Sequence, residues 1–392
     1  MIVDLHSHYP IHLVPQGERD VLKLLGSPAG RWRLLDRIRS ALVRFASRFA
    51  NYESFESGPR VTVPLLRAGG VGVALSVLYS PFDEVDLGKR YSAPPDATYF
   101  PSLLRQLEDV EAEVAREFSG LAHVAHRPEE IDMALAGGQV ALVHCVEGGF
   151  HLGGTPEEID RNVTELARRG AAYVILAHLF WRRIATNANA IPFLPDWLYA
   201  TLFPQPRDTG LTELGEAAVR AMVRERVLID LSHMSQRGLD DVFALLDRID
   251  PAGEIPVIAS HVAYRFGSLA YNATDETIRR IAARDGVAGL ILAEHQTADG
   301  LRRSRTETLD DSLGVLFAHV DRIAEITGSH RHTAIGTDLD GFIKPTLAGL
   351  GDASRLAALE RALVERYGPG DGELIASGNA LRVLRSYWRG AA

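Results

Sequence analysis

The chain contains one cysteine, Cys145, which excludes an internal disulfide and any cysteine-based zinc knuckle. Long apolar runs are also missing, and none reaches the roughly 18 residues that a membrane-spanning helix needs. No basic region followed by an apolar stretch opens the sequence, so a cytoplasmic protein without a secretory leader is expected. Positive charge is in deficit. With 42 Lys and Arg against 51 Asp and Glu, the formal charge is −9, which argues against a nucleic-acid-binding surface. No Gly-x-Gly-x-x-Gly turn follows the first apolar run, which weakens a dinucleotide-binding reading. Low-complexity tracts and long linkers are absent too, so residues 1–392 are expected to form one domain.

What is present is a repeating pattern. At 46% hydrophobic and 24% charged residues, the composition is that of a globular chain able to bury a sizeable core. Short apolar runs alternate with amphipathic stretches: residues 2–8, 71–79, 140–147, 172–178, 227–233, 255–261, 287–293 and 333–338. Between them, Leu313, Leu316, Phe317, Val320, Ile323 and Ile326 make one helical stripe, which Gly328 is placed to end. Leu239, Val242, Leu245, Leu246 and Ile249 make another, and Leu103, Leu104, Leu107, Val110 and Val114 a third. Strands alternating with helices imply a parallel sheet, and eight of them point to a (β/α)8 TIM barrel, an α/β fold. The Arg- and Leu-rich stretch at about residues 10–60 reads as a helical insertion after the first strand.

In such a barrel the chemistry collects at the C-terminal ends of the strands. The first run ends in His6 and His8, which alternation places on one face. The third ends in Glu147, the fourth in His178, the fifth in His233, the sixth in His261 and the eighth in Asp338. Each residue alone is as ordinary as any hydrogen-bonded strand end. Together they form a set of metal-ligand types that random strand ends would rarely assemble. His6 and His8 would hold one divalent ion, His233 and His261 a second, and Glu147 would bridge them. Imidazole with carboxylate suits zinc, although manganese, iron or cobalt could also fit. Two such ions lower the pKa of a shared water and clamp a substrate oxygen. Asp338 is then the expected base and His178 the expected partner of a tetrahedral oxyanion. His144 falls on the opposite strand face from Glu147, and His123, His126, His319, His330 and His332 fall on helices or loops away from the strand ends. His151 and Asp340 stand near the mouth as supports for the ligands.

Several segments carry a resemblance. These are Asp4-Leu5-His6-Ser7-His8, Arg67-Ala68-Gly69-Gly70-Val71, Val146-Glu147-Gly148-Gly149 and Gly210-Leu211-Thr212-Glu213-Leu214-Gly215. They continue in Leu228-Ile229-Asp230-Leu231-Ser232-His233-Met234-Ser235 and Pro256-Val257-Ile258-Ala259-Ser260-His261. The last are Ile335-Gly336-Thr337-Asp338-Leu339-Asp340-Gly341 and Gly378-Asn379-Ala380-Leu381-Arg382-Val383-Leu384. In order and nearly throughout, the chain resembles the membrane (renal) dipeptidase family of zinc peptidases, within the amidohydrolase superfamily. The resemblance implies two zinc ions bridged by Glu147, with His233 and His261 as ligands, His178 against substrate and Asp338 at the end of the eighth strand. It also implies hydrolysis of dipeptides, often with a D-residue at the C-terminal position, and commonly a homodimer. Two positions depart from the family pattern. His6-Ser7-His8 stands where relatives usually have His-x-Asp, which leaves the site one charge more positive. Tyr271-Asn272 stands where relatives place an arginine that grips the substrate carboxylate, and a tyrosine cannot make that bidentate pair. Arg265 matches a different arginine, found in many bacterial members. Arg182 and Arg183, in the loop after the fourth run, are further cations near the expected mouth. His178, Arg265 and Tyr271 are thus the expected substrate contacts. The alternatives are a hydrolase of another small amide, N-acyl amino acid, lactone or phosphoester, and a barrel that only binds a ligand.

Overall fold

The structure is a computed structural model and describes residues 1–13, 58–84, 91–192, 194–341 and 345–391. Among the described residues, nine strands form one parallel sheet: β1 (Ile2–Ser7), β2 (Val71–Leu78), β3 (Ala122–Val124), β4 (Val140–Glu147), β5 (Tyr173–Ile175), β6 (Leu228–Asp230), β7 (Val257–Val262), β8 (Val287–Leu290) and β9 (Thr333–Ile335). β1 pairs with both β2 and β9, and β2 pairs with β4 along Val73–Leu78, so eight of the strands close on themselves. The result is the expected (β/α)8 barrel, with all eight apolar runs in it. The ninth strand, β3, was not expected. Its three residues pair with the first half of β4, while β5 pairs with the last two residues of β4. His123 therefore lies on a strand rather than on a helix or loop. The helical insertion expected at 10–60 falls almost wholly outside the described residues.

Helices return the chain between strands, and their starts are written in local chemistry. Thr155, Thr212, Ser235, Thr274 and Thr308 each accept the N–H three residues on through the side-chain oxygen. Such caps satisfy donors that the first helical turn would otherwise leave open. Thr308 and Asp311 form a reciprocal capping box. The stripe from Leu313 to Ile326 lies on the helix Leu309–Thr327, which ends at Gly328 in the left-handed conformation (φ 73°). The other two stripes lie on Gln236–Ile249 and Tyr99–Glu113, with Val114 one residue beyond the second. Among the described residues no helix is long and apolar enough to cross a membrane.

One close approach sets the geometry of the mouth. Gly336 follows β9 directly, and a Cβ there would collide with the backbone carbonyl of Ser260 on β7. Only glycine lets the chain pass this close while it carries Asp338 towards the barrel axis.

Outside the mouth, His319 ties the segment after β7 and the short helix Glu294–Thr297 to the helix Leu309–Thr327. Its Nδ1 accepts the Tyr264 N–H at 3.0 Å, and its Nε2–H donates to the Thr297 carbonyl at 2.8 Å. Burial lowers its pKa to about 4, against roughly 6.5 in an unfolded chain. Between those values the unfolded state binds a proton that the folded state refuses. The stability that this neutral imidazole carries is therefore complete above about pH 6.5 and is lost as the pH falls towards 4. In urea titrations of the metal-free protein between pH 7 and pH 4.5, His319→Gln should flatten the loss of unfolding free energy relative to wild type by up to about 1.4 kcal/mol per pH unit.

Candidate metal centre

Seven ligand-type side chains meet at the C-terminal mouth, all buried: His6, His8, Glu147, His178, His233, His261 and Asp338. His6 lies on β1 with His8 just past it, Glu147 closes β4 and His261 lies near the end of β7. His178, His233 and Asp338 stand three residues beyond β5, β6 and β9, on the turns that leave the barrel.

Glu147 is at the centre. Its Oε1 lies 3.5 Å from His6 Nε2, 3.4 Å from His233 Nε2 and 3.6 Å from His261 Nε2. Its Oε2 lies 3.4 Å from His8 Nε2 and 3.3 Å from His178 Nε2. Neither oxygen has a hydrogen-bond partner, although the residue is only 1% exposed. Burial works to raise this carboxyl, but His178, His6 and the other imidazoles hold it well below the usual carboxylate range. A buried carboxylate ringed by five imidazole nitrogens is a donor set that a divalent cation satisfies.

The histidines form two pairs. His6 Nε2 and His8 Nε2 are 3.3 Å apart, with Asp338 Oδ1 3.6 and 3.1 Å away. His233 Nε2 and His261 Nε2 are 2.9 Å apart. Hydroxyls hold the far nitrogens of two of these rings. Tyr173 Oη lies 2.9 Å from His6 Nδ1 while its own proton goes to the Leu5 carbonyl. Ser260 Oγ lies 2.9 Å from His261 Nδ1 and 3.2 Å from His6 Nδ1. With Nδ1 carrying the proton towards these oxygens, each Nε2 keeps its lone pair for the centre. Burial lowers the pKa of both His6 and His261, which keeps them neutral, as ligands must be.

Two further carboxylates brace the strands that carry these rings. Asp4 accepts the backbone N–H groups of Thr337 and His6 at 2.8 and 3.2 Å and the Thr337 hydroxyl at 2.7 Å, joining β1 to the turn after β9. Asp230 accepts the N–H groups of Ser232 and Ser260 at 2.9 and 3.1 Å, joining β6 to β7. Burial lifts Asp4 to about 7 and Asp230 to about 6. The turns themselves are strained. His233, Asp338 and Asp340 have φ of 65°, 56° and 62°, and Gly148 follows Glu147 at φ 91°. Left-handed backbone at residues other than glycine is costly and clusters where side chains are aimed for a task.

His178 is held by a residue that the sequence did not single out. Glu84 Oε2 lies 2.6 Å from His178 Nδ1 and also accepts the Tyr79 hydroxyl at 2.6 Å, while Oε1 accepts the Phe180 N–H at 2.8 Å. The imidazole is thereby aimed with Nε2 into the centre. Burial pulls its pKa down, but Glu147 and Glu84 on either side outweigh that and lift it to about 9. Tyr173, Ser260, Asp4 and Asp230 were missed in the same way, although Asp4, Asp230 and Ser260 lie within the motif segments themselves.

The other expected residues are placed as follows. Tyr271 is buried beside the centre, its ring 5.0 Å from that of His233, but its hydroxyl donates to the His261 carbonyl at 2.8 Å. Arg265 donates to the carbonyls of Asn272 and Ala270 at 2.8 and 2.6 Å, within its own loop. Arg182 donates to the Asp83 carbonyl and the Tyr99 hydroxyl, and Arg183 to the Ser92 carbonyl. His151 sits between the Gly148 carbonyl and the Ser80 N–H, and Asp340 accepts the N–H groups of Arg60 and Val61. A cavity of about 320 Å³ lies beside Tyr271, lined among others by Asn189, Ile191, Leu194, Leu269 and His295.

Fold and site together define a class: a (β/α)8 barrel with a cluster of side chains of metal-ligand type at its C-terminal mouth. The chain belongs to the membrane dipeptidase family, peptidase family M19, whose family model matches residues 30–389. Among curated proteins it is similar to the dipeptidase aclJ of Aspergillus oryzae, 27% identical over 315 residues, covering 80% of this chain and 62% of that one. It is also similar to the dipeptidase tcpJ of Claviceps purpurea, 24% identical over 318 residues, covering 80% and 67%. The chain thus spans about two thirds or less of the length of these relatives. Among solved structures, the fold matches a metallopeptidase from Rhodobacter sphaeroides, liganded with a phosphinate mimic of the dipeptide L-Ala-D-Ala. That match has a TM-score of 0.68 and 20% identity, covering 99% of both chains. The probable dipeptidase PvdM from Pseudomonas aeruginosa matches with a TM-score of 0.65 and 18% identity, covering 84% of this chain and 89% of that one.

The Glu84 clamp has a direct spectroscopic consequence. In the metal-free protein, Glu84→Gln removes the anion next to Nδ1, so His178 should titrate lower than in wild type by about one pH unit or more, read by NMR of the imidazole.

Proposed function

We propose that the protein is a metal-dependent dipeptidase that uses two divalent ions, most simply zinc, to hydrolyse the amide bond of small dipeptides. The observation that carries this reading is the pair of unpartnered Glu147 oxygens, one within 3.5 Å of His6 and His233 and the other within 3.4 Å of His8. His6 and His8 would hold one ion and His233 and His261 the other, with Glu147 shared between them. Divalent ions held in this way polarise a carbonyl and make water nucleophilic at neutral pH.

The remaining groups handle protons and charge. Asp338 lies 3.1 Å from His8 and is raised by burial, the direction that a proton acceptor working near neutral pH needs. It takes a proton as water adds to the carbonyl carbon and returns one to the amine as the C–N bond breaks. His178, held by Glu84 with Nε2 facing inward, donates to the carbonyl oxygen as negative charge builds there. The dipeptide mimic bound to the Rhodobacter sphaeroides metallopeptidase supports the same substrate class.

A second reading, an amide hydrolase indifferent to a free carboxylate, is favoured by one observation. The Tyr271 hydroxyl is already bonded to the His261 carbonyl, and Arg265 is bonded to its own loop.

One experiment separates the readings. Zinc-reconstituted protein is assayed on L,L- and L,D-dipeptides with free C-termini and on their C-terminal amides. A dipeptidase cleaves the free acids and spares the amides, whereas equal cleavage supports the second reading. If neither is cleaved while metal is bound, the peptidase reading falls. Asp338→Asn should retain its metal by elemental analysis while kcat falls about 10²- to 10⁴-fold.

A further inference from the structure

A second cluster of ligand-type side chains lies outside the barrel, on the other face of β4. The alternation that sends Glu147 inward sends His144 outward, where it is fully buried. Neither of its ring nitrogens has a hydrogen-bond partner, although buried polar groups almost always have one. Its Nε2 lies 3.8 Å from Glu111 Oε1, on the helix Tyr99–Glu113. His126, just after β3, places its Nε2 3.0 Å from the same oxygen. One ligand atom from each residue lies within 4.8 Å of the other two. That spacing is compatible with three bonds of roughly 2.0–2.2 Å to a common ion.

The surroundings are those of a built site. Glu130 Oε2 accepts the His126 backbone N–H at 2.9 Å and lies 3.6 Å from His126 Nδ1. A carboxylate on that side favours the tautomer whose Nε2 lone pair faces the cluster. Arg169 donates to Glu111 Oε2 at 3.0 Å, which fixes the carboxylate and leaves Oε1 open towards the two histidines. The side chains of Glu111 and His126 are 30% and 33% exposed, so water has access to a fourth position. An ion pair between His126 and Glu111 would satisfy those two residues alone and would leave His144 buried with both nitrogens unmet.

We propose that His144, His126 and Glu111 form a divalent-cation site of the zinc type, separate from the centre at the barrel mouth, which ties β4, the segment after β3 and the helix Tyr99–Glu113 together. Two imidazoles and one carboxylate are a donor set that zinc accepts with water as the fourth ligand. The site's role is structural, because it faces the outer layer of the barrel rather than the mouth.

The test is a count of bound metal. Wild type, His126→Gln and Glu111→Gln are stripped with chelator, dialysed against zinc and measured by elemental analysis. Each variant should hold one zinc fewer per chain than wild type, with an unchanged far-UV circular dichroism spectrum. Because the comparison is a difference, it does not depend on how many ions the barrel mouth holds. Glu130→Gln removes no ligand and should keep the equivalent with affinity weakened about tenfold to a hundredfold, a graded loss that a purely structural ion-pair cluster would not give. Equal zinc content in wild type and in both ligand variants would overturn the assignment.

Discussion

A carboxylate buried at the mouth of a barrel with neither oxygen hydrogen-bonded is the constraint around which this molecule is arranged. Desolvating such a group costs several kcal/mol unless compensating charge surrounds it. Here five imidazoles face Glu147, four of them from the end of β1, from β7 and from the turn after β6, which do not neighbour β4 in the sheet. Those rings are themselves crowded, with Nε2 atoms 2.9 and 3.3 Å apart within the two pairs. Neither the anion nor the ring pairs would persist in this geometry without the braces behind them. Asp4, Asp230, Ser260, Tyr173 and Glu84 supply those braces, and each holds a strand end or a ring rather than the centre itself.

The same logic explains where the backbone departs from comfort. His233 and Asp338 take left-handed φ at the turns that aim them inward, and Gly336 passes the Ser260 carbonyl at a distance no other residue could tolerate. Stability elsewhere supports this strain. The capped helices and the continuous apolar core behind the strands hold the barrel closed, so that the turns have no easier conformation to relax into.

Much of this was legible in residue order. The eight apolar runs are the eight barrel strands, and the ends of six of them carry the seven side chains that meet at the mouth. What could not be read follows a pattern. β3 gives no apolar run of its own, because His123 interrupts Ala122 and Val124, and it lies along the first half of β4 on the side that β5 does not reach. Glu84 lies 94 residues from His178, at the end of the short helix Pro81–Glu84 whose local sequence announces nothing, and only the closure of β2 against β4 brings the two together. Tyr271 and Arg265 were foreseen as substrate contacts, yet their polar atoms are bonded to nearby backbone, a choice that depends on loop geometry rather than residue type.

Residue order alone marked the eight barrel strands and the ligand-type residues at their ends, because period, capping and residue type act over a few neighbouring positions. Tertiary structure alone decided which nitrogen faces which oxygen, which hydroxyl and carboxylate orient each ring, and that a second group of histidines and glutamate meets behind β4. Those outcomes rest on distances of about 3 Å between residues tens to hundreds of positions apart. Such distances exist only once the sheet has closed and its register has fixed which side chains share a face.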